Sequence, residues 1–249
     1  IKPYLKEDGL LVGVQNAMML GDIEEIVGPE RTLGCVMEMS SEIFTPGIVQ
    51  RNTTQSHTWF GLGSINEATA GRVAEIEELL SHVGNVSIST EIISAKWMKL
   101  VVNTMCLGPL AMMGLTLYEA MKVPGMREFT LRAGTEALAV GQSLGHTIEP
   151  IFGLTPEDVK DTNRLLEKML DKLAADIGPA ARDCVLQDHL KGRYSEVDLI
   201  NGLVVEEGQK HGQVTPVNAA VTEITRRIQA GEIEPDLSNL ELAHEMMKA

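Results

Sequence analysis

Short apolar runs bounded by glycine open the chain and alternate with amphipathic stretches. Gly9-Leu-Leu-Val-Gly-Val-Gln-Asn16 has the apolar run and polar stop of a buried strand. A short helix is predicted near Gly21–Val27, closed by Gly28-Pro29, and a second strand over Arg31–Met39. Ile48–Arg51 and Thr58–Gly61, preceded by Pro46-Gly47, read as an antiparallel pair. Helical spacing of Val73, Ile76, Leu80 and Val83 predicts a helix over Glu67–Val83, and Val86–Ser89 reads as one more short strand.

Beyond residue 90 the pattern is helical to the end. Ile92–Met113 is apolar on nearly every face, as a helix enclosed by others must be. Met126–Leu144 forms the next helix, with Gly145 as its C′ residue. Thr155-Pro156 reads as N-cap and N1 of a helix that stops near Gly178-Pro179. Residues 180–191 continue helically, and Ser195-Glu-Val-Asp198 resembles a capping box opening a helix that ends near His211-Gly212. Thr215-Pro216 repeats the cap-and-proline device, Gly231 ends that helix, and the tail is acidic and weakly amphipathic. The pattern predicts an α/β unit over 1–90 and an all-α unit over 91–249.

Composition narrows the partners. With 21 Lys+Arg against 35 Asp+Glu the formal net charge is −14, which repels both nucleic acid and anionic membrane. An anionic substrate must then be met by a local cation. The three cysteines, Cys35, Cys106 and Cys184, and six scattered histidines form no metal-binding spacing, so no metal is expected and a reducing cytoplasmic compartment fits. The chain opens at Ile1 with no apolar signal region. Leu100–Tyr118 carries no charge, but Asn103, Thr104, Gly108-Pro109 and Gly114 make it a broken buried helix rather than a membrane span.

Candidate chemistry is sparse. Gly61-Leu-Gly63-Ser-Ile-Asn66 has Asn where a dinucleotide fingerprint requires its third glycine, so it reads as a strand end and turn. Lys99 is the sharper signal, lying in a helix otherwise almost free of charge, with Asn103 four residues on along the same face. Such a lysine either snorkels to the surface or sits in a partly dry cleft, where burial lowers its pKa towards acid–base chemistry. Glu196 and Asp198 are open to a similar choice between complementing a helix start and chemistry.

Lys99-Leu-Val-Val-Asn103, Leu186-Gln-Asp188, Ser195-Glu-Val-Asp-Leu-Ile-Asn-Gly202, His211-Gly212 and Thr215-Pro-Val-Asn218 together resemble the ketopantoate reductase family. The resemblance runs from Ile1 to about Ile228. It implies the C-terminal part of a Rossmann NADP-binding domain over 1–90, and over 91–249 a helical substrate and dimerisation domain like that of 6-phosphogluconate dehydrogenase. The reaction implied is hydride transfer from NADPH to the C2 carbonyl of a 2-oxo acid, ketopantoate or a relative, by a cytoplasmic homodimer in pantothenate biosynthesis.

Residue by residue, the resemblance makes Lys99 the general acid that hydrogen-bonds the carbonyl oxygen, and Glu196 the acid that binds a substrate hydroxyl and helps organise the lysine. Asn103 and Cys184 are then substrate-binding, and Asn16 lies near the nicotinamide. The chain departs from the family at Ala17, usually glycine, and at Gly108, where an Asn-Pro pair is usual. It departs again at Ala181-Arg-Asp-Cys184, where Asn-x-x-Ser is common. These changes remove or weaken up to three polar groups, since a thiol is a poor donor, and they bear on the substrate. Two other readings remain: a catalytically inactive helical oligomerisation module, and a superfamily dehydrogenase with an unrelated substrate.

Overall fold

The computed structural model describes residues 1–161 and 164–248. In chain order its first elements are β1 (Leu11–Gly13), α1 (Leu20–Val27), β2 (Thr32–Glu38), β3 (Ser41–Glu42), β4 (Gln50–Arg51), β5 (Trp59–Ser64), α2 (Glu67–Ala70), α3 (Val73–Ser81) and β6 (Asn85–Ile88). Helices follow: α4 (Ile92–Cys106), α5 (Gly108–Ala111), α6 (Leu117–Ala120), α7 (Met126–Ser143), α8 (Leu165–Asp176), α9 (Cys184–Leu190), α10 (Asn201–Lys210), α11 (Pro216–Gln229) and α12 (Ser238–Met246). The chain divides into two compact units, one of residues 1–39, 54–99 and 146–161, the other of 40–53, 100–145 and 162–249.

The first unit is built on a four-stranded mixed sheet in the order β1-β2-β5-β6. β1 runs parallel to β2, β2 antiparallel to β5 with Glu38 opposite Trp59, and β5 parallel to β6. Leu33, Cys35, Phe60, Leu62 and Val73 form one buried cluster, and Leu20, Ile23 and Val27 of α1 form another with Leu11 and Ile93. Gly34 and Gly63 face each other across β2 and β5, and a Cβ on either would come within 3 Å of Ile92 at the head of α4. Gly63 therefore serves helix–sheet contact, and Asn66 caps α2 by accepting from Ala68 N–H.

The second unit is helical apart from the β3–β4 hairpin. Its part of α4 is shut from solvent, with Leu100, Val101, Val102 and Met105 at 1% exposure or less. Each such side chain contributes about 1.5–3 kcal/mol of hydrophobic stabilisation. A buried amide network fastens the bundle. Asn201 Nδ2 donates to Thr104 O and Asn218 Oδ1, while Asn218 Nδ2 donates to Ala133 O and to Glu136 on α7. Among the described residues no helix is long and apolar enough to cross a membrane.

Several local expectations are corrected. Ile48–Arg51 and Thr58–Gly61 do not pair with each other; β4 joins β3, and β5 joins β2 and β6. The helix expected over 67–83 is broken at Gly71-Arg72, while the apolar stretch from Ile92 breaks at Leu107, beside the Gly108-Pro109 interruption expected there. Thr155 and Asp158 bond as a cap should, yet the following residues form turns and the helix begins only at Leu165. Residues 162 and 163 of that expected helix lie outside the described residues. Helix α9 starts at Cys184 rather than 180, because Asp183 accepts the Leu186 N–H as N-cap. The Ser195 capping box is absent: a 3-10 turn (Val197–Leu199) precedes α10, and Asp198 pairs with Arg226 instead. At the head of α11 it is Glu136, not Thr215, that takes the free N–H groups, those of Val217 and Asn218. The acidic tail contains α12.

Candidate active site

Two lysines three residues apart on α4 are both withdrawn from water. Lys96 is 4% exposed and its Nζ donates to Gln15 O at 2.6 Å. Burial pushes its ammonium down to about 8; the nearby Cys35 opposes that shift and the positive charge of Lys99 adds to it. Cys35 is in turn pushed up to about 11 by burial. The Lys99 side chain is 14% exposed, and its Nζ donates to Glu38 Oε2 at 2.6 Å, with Glu38 itself 8% exposed. The Phe152 ring lies under the same ammonium, 5.0 Å from Nζ to the centroid. Phe152 sits at φ 60 and is braced edge-on by Trp59. Of the two readings of Lys99, the structure gives the partly dry one.

Asn103, one turn along α4, is 2% exposed, and its Nδ2 has no hydrogen-bond partner among the described residues. A buried amide left unpaired costs about 1–3 kcal/mol, so it marks a place where an acceptor belongs. Asn16 is half-buried in the turn after β1, at the carboxyl end of that strand. The next residue, Ala17, is at φ 63, a left-handed conformation that costs a non-glycine residue about 1–2 kcal/mol. The turn thus keeps a glycine's conformation although the residue is alanine. Lys96, through Gln15 O, ties this turn to α4.

In the second unit Cys184 Sγ donates to Glu196 Oε1. Asp183 Oδ1 takes Leu186 N–H, while its Oδ2 is shut from solvent without a partner among the described residues. Burial raises the Asp183 carboxyl to about 8 against the pull of backbone N–H groups, and Glu196 adds like charge. Asp188 is raised by burial, opposed by the Arg193 guanidinium at 3.1 Å. The β3–β4 hairpin docks on this region through Glu42–Arg182 at 3.3 Å, Gln187 Nε2 to Ser41 O at 3.2 Å, and Phe44 beneath Arg182 and Lys191.

Much of the string that stood out in the sequence has a packing role. Leu186 is core, Gln187 ties down the hairpin, and Asn201 and Asn218 belong to the buried amide network. At Gly108 a Cβ would lie 2.5 Å from Val221 Cγ1 and 2.7 Å from Asn201 Oδ1, so a larger residue has no room there. The sequence pattern missed Glu38 and Lys96. Glu38 is the single charged residue of β2, and Lys96 shares a helical face with Lys99; an acid in an apolar strand and a second lysine in an apolar helix were the available signals.

Residues 91–229 match the family described as Ketopantoate reductase PanE/ApbA C terminal. A 2-dehydropantoate 2-reductase of Mesorhizobium japonicum is 29% identical over 210 residues, which cover 84% of this chain and 58% of that relative. The chain therefore spans little more than half the length of this curated relative. A solved PanE/ApbA family ketopantoate reductase from Ralstonia eutropha JMP134 superposes with a TM-score of 0.71 at 20% identity, over 93% of this chain and 70% of that one. D-mandelate dehydrogenase, in a ternary structure with NADH and anilino(oxo)acetate, superposes with a TM-score of 0.79 at 19% identity, over 92% and 71%.

Proposed function

The chain belongs to the ketopantoate reductase family, and from that premise we propose that it reduces the C2 carbonyl of a 2-oxo acid to the 2-hydroxy acid, with NADPH as reductant. The observation that carries this reading is the head of α4: a nearly dry ammonium, Lys99, followed one turn later by the buried amide of Asn103, whose Nδ2 has no hydrogen-bond partner among the described residues. When bound, the nicotinamide supplies a hydride. Lys99 hydrogen-bonds the carbonyl oxygen, stabilises the negative charge that develops there and passes it a proton, which solvent replaces. Asn103 Nδ2 donates to a substrate oxygen, and Glu196 accepts from a substrate hydroxyl. Asn16, at the carboxyl end of β1, borders the nicotinamide, where open α/β sheets meet their ligands.

The turn after β1 fits the nicotinamide end of the cofactor: it is pinned through Gln15 O and holds a left-handed residue beside Asn16. No Gly-x-Gly-x-x-Gly occurs in these 249 residues, so they supply no pyrophosphate loop. Under this reading residues 1–90 belong to the cofactor domain and 91–249 to the substrate and dimerisation domain of a cytoplasmic homodimer. Cys184 offers a thiol where a hydroxyl is common, and Gly108 and Ala181 offer no side-chain donor. The substrate is then ketopantoate or a related 2-oxo acid, with selectivity set in part by the weaker donor at Cys184.

The test is a spectrophotometric screen of the complete gene product with NADPH and NADH against ketopantoate and aliphatic and aryl 2-oxo acids. Oxidation of NADPH by at least one is expected, and Lys99→Ala should lower that rate by at least about a hundredfold with the fold intact. No oxidation with any of them would favour an inactive helical module, and an unimpaired Lys99→Ala variant would remove the lysine from its role.

A further inference from the structure

The general acid assigned above has a partner that the assignment does not use. Lys99 is met by Glu38 from the last position of β2, at 2.6 Å and with both side chains largely out of water. We propose that Glu38 is a positioning residue, one that fixes the Lys99 ammonium in place and holds its charge there during carbonyl reduction.

Three features argue for this role. First, an ammonium on a four-carbon stem has many rotamers, and a charge-assisted bond to a buried acceptor selects one of them. Among the described residues Glu38 is the single hydrogen-bond acceptor of Lys99, so two of the three N–H bonds remain for other oxygens. Second, the surroundings otherwise disfavour a cation. Within this unit the charged and titratable groups facing this pair of lysines are Glu38 and Cys35 from β2 and Lys96 and Lys99 themselves from α4, with the Phe152 ring below Lys99. Lys96 repels, Cys35 stays a neutral thiol, and Glu38 carries the one opposing charge. Third, Glu38 is the only charge in a strand whose other residues are apolar or small, and burying an acid there is costly unless it is paired.

The proposal rests on the reading of Lys99 given above, and its test separates the two. In the complete protein, Glu38→Gln should lower kcat at least tenfold. It should also move the alkaline decline of the pH–rate profile to lower pH by at least about one unit, because an adjacent negative charge is lost. Acylation of Lys99 by an amine-selective reagent at neutral pH, followed by peptide mass spectrometry, should run several times faster in this variant. That measurement needs no turnover. Glu38→Asp keeps the charge and should leave the alkaline limb in place while lowering kcat, and it serves if the Gln variant does not fold. A Gln variant whose profile and labelling rate match the parent overturns the proposal, as does an Asp variant whose alkaline limb moves. Should Lys99→Ala retain full turnover, the catalytic reading fails, while the labelling rates still decide whether Glu38 holds that ammonium.

Discussion

At the head of α4 a buried cation is answered by a full negative charge, whereas around α9 and α10 carboxyl groups are crowded together and answered mainly by weak or neutral donors. Lys99 has Glu38 at 2.6 Å. Glu196 receives a thiol, Asp183 receives backbone N–H on one oxygen and has no partner for the other among the described residues, and Asp188 has the Arg193 guanidinium nearby. Pairing fixes one charge in one place. Crowding does the opposite, making ionisation of each acid costlier in the presence of the next: burial is the main reason Asp183 and Asp188 both rise, and the charge of Glu196 adds to it. The first arrangement suits a group that must present a charge at a defined point. The second suits groups that exchange a proton or a hydrogen bond with whatever comes to them.

The largest effect expected from the crowded side is on turnover. Glu196→Gln removes a charged acceptor from the proposed substrate hydroxyl and should lower kcat/KM by about tenfold to a hundredfold. It should also relieve Asp183 and Asp188, whose titrations followed by carboxyl NMR should fall to lower pH. If both stay where they were, the crowding argument is wrong.

Asp183→Asn comes next, and reads on stability. Asn caps a helix as well as Asp, so the start of α9 is kept while a buried acid is made neutral. The wild-type carboxyl, raised to about 8 from 3.8, holds a proton that the unfolded chain releases. Its contribution is therefore fully favourable below the unfolded value and is lost as pH rises towards about 8. The variant should gain stability over the parent progressively from about pH 4 to 8, by about 1.4 kcal/mol for each pH unit crossed. Parallel denaturation curves across that range, with a constant difference, would contradict a buried Asp183.

Lys96→Met should have the smallest effect. Folded Lys96 titrates at about 8, below the unfolded 10.5, so between those values the native state has shed a proton that the unfolded chain keeps, and stability rises with pH. Cys35 works in the opposite direction between 9 and about 11, since the native thiol stays protonated there. The clean window is pH 8 to 9, where the parent should gain stability relative to Lys96→Met. A difference that stays flat in that window would mean Lys96 is not charged and buried as described.

Most strands and helices were legible because they depend on spacing within a few residues. The apolar run before Asn16, the strand over Arg31–Met39 and the helix closed by Gly145 emerge close to their expected bounds. Expectations failed where distant groups intervened. The pairing of 48–51 with 58–61 gave way to β3 and β2, and the Thr215 cap gave way to Glu136, some eighty residues earlier in the chain. Lys99 stood out because a charge in a nearly uncharged apolar helix demands an explanation, but its partner could not be read, since Glu38 lies 61 residues away on a strand.

By itself, then, the order of residues determined which segments coil or extend and which lysine is anomalous, through contacts between near neighbours and the periodicity of apolar side chains. The tertiary structure decided which acid answers that lysine and which amide has no acceptor among the described residues. It also turned the amides of Asn201 and Asn218 towards packing rather than chemistry. Charge pairing and burial act through space between residues that strand order and helix placement bring together, and neither is encoded in local spacing.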